Sequence, residues 1–391
     1  MSLSLEVKKF INSEHSGEYV EIALPVELSV KAEAKKKPAK AEKKADIDDI
    51  DDIDDIDDDI DDVDDIDDEI DAKAKPDAKP DAKPDAKPDA EPDAEPDAEP
   101  DAKADAKAEA EPAPEPEPEK PLVEYEKVRI HYMEAGMGEP MLLIHSVGQS
   151  LYTWRGVFNK LSACYRVIAV DLPGFGYSDR PEAFGFGVED YADVIGMFMD
   201  AIGVESAHIA AFSMGAVYAL SFAMMHPERV GRMVLLSPGG ITQEMPLAIR
   251  LIDSTLFGFA ASMLYGIKTV EKALNDAVFD LTNITPDVVQ EYYRPISDAL
   301  SRRSVRRAVQ YFDEEPVIAR LRNIDIPVLI LAGGEDKWRA AKSPEMELYH
   351  SALSSGAFSV IRNAGHLMHE EKPDRVAEAI FEFIPAAVPE V

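Results

Sequence analysis

The sequence predicts an α/β fold, a mostly parallel sheet with a helical cap, preceded by a long acidic region with no core of its own. Three observations lead there. From residue 121 onward, short aliphatic runs alternate with amphipathic stretches. Between about 241 and 315 that alternation gives way to successive helical patterns. Before 121 the chain is dominated by charged repeats.

The acidic region comes first in the chain. The protein has 391 residues and a formal net charge of −35, and residues 1–120 carry 41 acidic and 17 basic side chains. So negative a chain repels phosphate backbones, which argues against a nucleic-acid partner. Residues 1–30 include EYVEIALPVELSV, aliphatic enough for a short strand or a docking peptide but too short for an independent core. Residues 31–120 read as a disordered, low-complexity acidic and Pro/Ala-rich linker. An Asp-Asp-Ile repeat spans 46–71, and crowded Asp side chains repel one another and form helix poorly. From 76 to 100, proline recurs every fourth residue, which blocks helix and leaves an extended, solvated spacer. The Ile positions of the repeat could instead fold on a partner or gather Ca²⁺ or Mg²⁺, but no EF-hand spacing is present. A lipoyl-type carrier domain does not fit within the first 45 residues.

The remaining 121–391 is long enough for one large core. Candidate strands are 128–134, 141–145, 167–171, 208–212, 233–237, 328–332 and 358–362, several of them continuous apolar runs suited to burial on both faces. Helical patterns cover 151–161, 189–202, 214–225, 344–353 and 374–383. Alternating β and α elements imply a parallel sheet covered on both sides, and the insertion at about 241–315 reads as the cap. Neither the N-terminus nor the apolar stretch near residues 251–265 matches a signal peptide or a membrane span, so the reading is a cytoplasmic protein. The single cysteine, Cys164, excludes an internal disulfide and a Cys-based zinc cluster, and reads as a small buried hydrophobe.

In such sheets chemistry gathers at the carboxyl ends of the strands. A serine, an acid and a histidine stand there in order. Ser213 lies in HIAAFSMGAV, at an abrupt strand-to-helix turn with the small neighbours Ala211 and Gly215 two positions either side. A serine hydroxyl is a weak nucleophile and needs a base. His366 can serve if an acid orients its other nitrogen; Asp336 is best placed, with Glu335 a rival. The helix starting at Met214 turns its positive end toward a developing oxyanion. His369 follows His366 by one helical turn, without a third ligand for a metal, and reads as a supporting or surface residue. His145 reads as a loop support. The cap stretch LFGFAASMLY at 256–265, with Phe257, Met263, Leu264 and Tyr265, reads as an apolar pocket wall as well as ordinary lid packing. Arg302, Arg303, Arg306 and Arg307 form a basic helix face, either solvated or able to attract a carboxylate or the acidic region.

Together LLIHSVG, DLPGFGYSDRP, AFSMG, HPERV, GGED and AGH, in that order, make residues 122–383 resemble the lid-containing serine hydrolase branch of the α/β-hydrolase superfamily. The resemblance implies a sheet of roughly eight strands, Ser213 as nucleophile, Asp336 as acid, His366 as base, and the backbone N–H groups of Val147 and Met214 as the oxyanion hole. It implies no cofactor and no metal. The chain departs from the pattern at Ala211, where glycine is usual, and at Ser146, where His-Gly usually opens the loop. A serine nucleophile argues against the haloalkane dehalogenases and epoxide hydrolases, which use aspartate. Leu367 stands where C–C bond hydrolases often carry tryptophan, which favours esters. The expectation is therefore a serine hydrolase cleaving a carboxylic ester or related, rather apolar, acyl substrate through an acyl-enzyme. C–C bond hydrolysis, cofactor-free haloperoxidase or perhydrolase activity, and a non-catalytic binding protein on a tether are the alternatives. Residues 1–30 would dock a protein partner.

Overall fold

The computed structural model describes residues 17–25, 125–240, 266–353 and 356–385. The chain divides into two units, one formed by Met1–Pro38 with Pro121–Val391 and the other by Ala39–Lys120. The second unit, and with it most of the segment expected as a linker, lies outside the described residues.

The first unit is an eight-stranded sheet in the order β1-β2-β4-β3-β5-β6-β7-β8. Its strands are β1 (Glu18–Pro25), β2 (Tyr125–Ala135), β3 (Pro140–Ile144), β4 (Arg166–Val170), β5 (Ala207–Phe212), β6 (Val230–Leu236), β7 (Val328–Gly333) and β8 (Gly356–Ile361). Pairing is antiparallel for β1–β2 and β2–β4 and parallel from β4 through β8. The central strands are mostly apolar and largely buried on both faces, as helices above and below a parallel sheet require.

One strand falls within residues 1–30, where a short strand or a docking peptide was expected. Glu18–Pro25 runs along the sheet edge with Glu18 opposite Tyr132 and Pro25 opposite Tyr125. Ile22 and Leu24 are buried there. Residues 26–124 join β1 to β2 in the chain and lie outside the described residues.

The chain passes from β3 to β4 on one side, then crosses to β5 on the other. Loops leaving β3 and β5 therefore diverge, and that divergence opens the crevice in which such sheets hold their ligands. Helix α1 (Phe158–Leu161) follows a short 3₁₀ turn at Leu151–Gly156, and α2 (Val188–Ala201) precedes β5. Helix α3 (Met214–Met225) follows β5 and is buried from Met214 to Ala223. A helix apolar on all sides belongs inside, and this one has Ser213 at its N-cap. The described part of the cap holds α4 (Ile267–Ala277), α5 (Pro286–Tyr293), α6 (Ala299–Tyr311) and α7 (Glu315–Ile318). Helices α8 (Pro344–Ala352), α9 (Met368–Glu371) and α10 (Pro373–Phe383) complete the layers.

Cys164 corrects the reading of a buried hydrophobe. It is exposed, because the turn after α1 carries it outward before β4 begins. The arginine face of α6 is partly used in packing. Arg307 donates to the Glu182 carbonyl at 3.1 Å and covers the Phe186 ring, while Arg303 lies 3.9 Å from Glu182. Among the described residues no helix is long and apolar enough to cross a membrane.

Candidate active site

Ser213 joins β5 to α3 with φ 52° and ψ −122°, a conformation that costs a non-glycine residue strain. Buried packing on both sides enforces it. Gly215 lies so close to the β3 loop that a Cβ there would come 2.3 Å from the His145 carbonyl oxygen. The Ser213 hydroxyl donates to the Gly239 carbonyl at 3.4 Å, and the Gly239 N–H returns a 3.3 Å bond to the Ser213 carbonyl. The nucleophile candidate thus rests against the loop after β6.

His366, from the loop after β8, has Nδ1 2.7 Å from Asp336 Oδ2, in the loop after β7. Both residues are buried. The second Oδ2 contact is the Ser237 hydroxyl, which donates at 2.8 Å, while Oδ1 accepts the Trp338 and Arg339 N–H groups at 2.9 Å each. Burial alone would raise the carboxyl pKa, but His366, with the Arg339 N–H and the Ser237 hydroxyl, holds it below the usual aspartate value. Glu335 turns away, its carboxylate accepting the Asn363 N–H at 3.3 Å. The imidazole of His366 is flanked by Phe212 at 4.8 Å and Trp338 at 5.2 Å between ring centres. Phe212 immediately precedes Ser213, so one ring links the strand end of the serine to the histidine.

The β3 loop supplies the other wall. The Met214 N–H donates to Ser146 Oγ at 3.3 Å. Val147 follows, partly buried against the core. Beneath them His145 accepts the Leu172 N–H on Nε2 at 3.0 Å, which leaves Nδ1 protonated to donate to the Ser146 carbonyl at 2.7 Å. Burial pushes the His145 pKa down, so it braces the loop as a neutral imidazole. Asp171, fully buried, ties the same region together by accepting the Leu151 and Tyr177 N–H groups and contacting His131 Nδ1 at 2.7 Å.

Several supporting residues carried no signal in the sequence. Glu371 Oε1 accepts the Phe279 and Asp280 N–H groups of the cap, and its Oε2 accepts that of Gly365, beside His366. Cap residue Tyr292 donates to Glu370, which also takes the Thr153 hydroxyl at 2.7 Å and pairs with Arg155 at 2.5 Å. His369, which the sequence did mark as a supporting or surface residue, is fully buried with Nε2 2.7 Å from Thr153 Oγ1, and burial takes its pKa to about 4. Arg339, buried in the loop after Asp336, reaches the Gly240 carbonyl and lies 3.4 Å from Glu314 Oε1. Such partners are far apart in sequence, and isolated charges in loops read as solvated until the fold brings them together. Phe257, Met263, Leu264 and Tyr265 lie outside the described residues. Among those described, no three His, Cys, Asp or Glu side chains are grouped to hold a metal.

A serine on a strained turn, a histidine–carboxylate pair and a helix N-terminus can activate a hydroxyl and bind an oxyanion. Known proteins are similar to this chain over the same region. A 2-hydroxy-6-oxononadienedioate/2-hydroxy-6-oxononatrienedioate hydrolase of Paraburkholderia phymatum is 29% identical over 277 residues, covering 66% of this chain and 91% of its own. The meta-cleavage product hydrolase CumD of Pseudomonas fluorescens IP01 is 26% identical and superposes with a TM-score of 0.57 over 66% of this chain and 94% of its own. A membrane phospholipase A described as a bacterial virulence factor is 25% identical, with a TM-score of 0.56 over 66% of this chain and 82% of its own. The sequence model of the alpha/beta hydrolase fold matches residues 139–373, from the strand before the Ser146 loop to just past His366. The chain belongs to the α/β-hydrolase fold family.

Proposed function

We propose that the protein is a serine hydrolase that cleaves a carboxylic ester or related acyl substrate through an acyl-enzyme. The observation that carries this reading is the buried 2.7 Å contact of His366 Nδ1 with Asp336 Oδ2, with Ser213 held at φ 52° directly after Phe212, whose ring flanks His366. Asp336 keeps the His366 proton on Nδ1, so Nε2 is free to accept one. Ser213 leaves its Gly239 acceptor and its oxygen bonds to the substrate carbonyl carbon while its proton passes to Nε2. The carbonyl π pair moves to oxygen, facing the N–H groups of Val147 and Met214. Collapse expels the leaving group, protonated by His366, and water repeats the sequence to free the acid. The substrate is a small and rather apolar acyl compound.

A second reading, C–C bond hydrolysis, is favoured by the names of the relatives and opposed by Leu367. Both begin at Ser213. Fluorophosphonate treatment of wild type and Ser213→Ala, read by intact mass, is expected to modify wild type alone; no modification of either sinks the serine hydrolase reading. Turnover of p-nitrophenyl esters against 2-hydroxy-6-oxo-dienoates then decides between the two bonds.

A further inference from the structure

The residue that departs from the family pattern at the head of the β3 loop stands on the oxyanion site. A Met214 N–H that serves an oxyanion must find that oxygen about 2.7–3.1 Å away. In the resting protein Ser146 Oγ occupies that direction at 3.3 Å, so a side-chain hydroxyl takes the place that a substrate oxygen would need. The backbone of Ser146 is pinned. Its N–H donates to Gln149 Oε1 at 3.3 Å, and its carbonyl accepts from Gln149 N at 3.3 Å and from His145 Nδ1 at 2.7 Å. Rotation about the Cα–Cβ bond is therefore the freedom left to the side chain. Ser146 is 5% exposed, and its hydroxyl proton has no acceptor among the described residues.

We propose that Ser146 is a catalytic residue whose hydroxyl donates a third hydrogen bond to the oxyanion, beside the N–H groups of Val147 and Met214. The inference rests on the serine hydrolase reading of Ser213. A hydroxyl both accepts and donates. While the site is empty, the oxygen satisfies a buried N–H that glycine would leave facing water. When the substrate carbonyl arrives, Met214 N–H passes to the new oxygen. Ser146 then turns about one bond and presents its proton to the same atom at the roughly 2.5–2.7 Å of a charge-assisted O–H···O⁻ contact. No proton is transferred. The bonds made and broken are those of the Ser213 addition, and Ser146 stabilises the charge that the addition creates. Glycine or alanine supplies neither role, because a backbone already committed to Gln149 has no further N–H to give.

The test needs no known substrate. The second-order rate of fluorophosphonate modification of Ser213 reports the same build-up of charge on oxygen. It is measured for the full chain as wild type, Ser146→Ala, Ser146→Gly and Ser146→Thr, with melting temperatures as the fold control. Ala and Gly are expected to slow labelling about tenfold to a hundredfold, the scale of one lost oxyanion donor, while Thr keeps most of the rate. Glycine is the residue usual at this place in the fold, so a failure of Ala to fold still leaves an informative variant. Labelling of Ala or Gly at or above the wild-type rate overturns the proposal and makes Ser146 an obstruction rather than a donor. Absence of labelling in wild type overturns the reading of Ser213 itself, which separates the two failures.

Discussion

Replacing Asp336 by asparagine tests the acid–base reading most directly, because the surroundings dictate how the new side chain must lie. Oδ1 of Asp336 accepts two backbone N–H groups, from Trp338 and Arg339, both at 2.9 Å. Only the amide oxygen of Asn can take that place. The NH₂ group must then stand at the Oδ2 position, 2.7 Å from His366 Nδ1 and 2.8 Å from the Ser237 hydroxyl. A donor facing Nδ1 turns that nitrogen into an acceptor and moves the imidazole proton to Nε2. The base then has no lone pair for the Ser213 proton. Holding an imidazole in the wrong tautomer in an otherwise intact site costs on the order of 10⁴ in kcat, about 5 kcal/mol of barrier. Fluorophosphonate labelling rates and ester kcat values at pH 7 measure the loss, with Glu335→Gln alongside. Asp336→Asn is expected to fold normally and fall by that amount, while Glu335→Gln stays within about twofold. A loss below tenfold for Asp336→Asn, or an equal loss for Glu335→Gln, refutes the assignment.

Three further outcomes follow from the packing. Gly215→Ala places a Cβ 2.3 Å from the His145 carbonyl oxygen, so it should displace the Ser213 turn, abolish labelling and lower the melting temperature; an active, equally stable variant contradicts the close approach. His369 is held at a pKa of about 4 by burial, so the unfolded chain binds the proton first as pH falls from about 6.5. Its contribution is therefore complete above that pH and weakens through the window down to about 4. Urea unfolding at pH 5 should show about 2 kcal/mol less stability than at pH 7 from this group, and His369→Gln should flatten that part of the slope. Glu314→Gln leaves the buried Arg339 guanidinium without its countercharge and should cost about 3–5 kcal/mol in urea unfolding, whereas adding Arg339→Met should recover part of the loss; a single variant as stable as wild type removes the pair from the account.

How far the sequence revealed this arrangement depends on how local each signal is. Seven strands were visible; the central ones, β3 to β7, stood out as apolar runs because burial on both faces leaves little room for polar alternation. Ser213 was visible because its turn demands small neighbours within a few residues. The sequence favoured Asp336 with Glu335 as a rival, since one residue of shift in a loop changes which carboxylate faces inward. The structure puts Asp336 on His366 and Glu335 on the Asn363 turn. Ser146 was visible as a departure from the usual glycine, yet its bond to Met214 joins loops 68 residues apart. Arg339, Glu314 and Glu371 were invisible for the same reason. They bind both margins of the cap and the loop of His366, and no nearby pattern marks a charge that will be buried.

The first strand shows the other limit of local reading. Its partner β2 follows only after residues 26–124, so no hairpin signal joins them. Loop-closure entropy grows only with the logarithm of length. Closing so long a connection costs about 3 kcal/mol more than closing a tight turn of four or five residues. Burial of Ile22 and Leu24, at 4% and 3% exposure, contributes about 3–6 kcal/mol, and the antiparallel ladder from Glu18 to Pro25 adds its hydrogen bonds. Pairing is therefore sustained across the whole acidic segment.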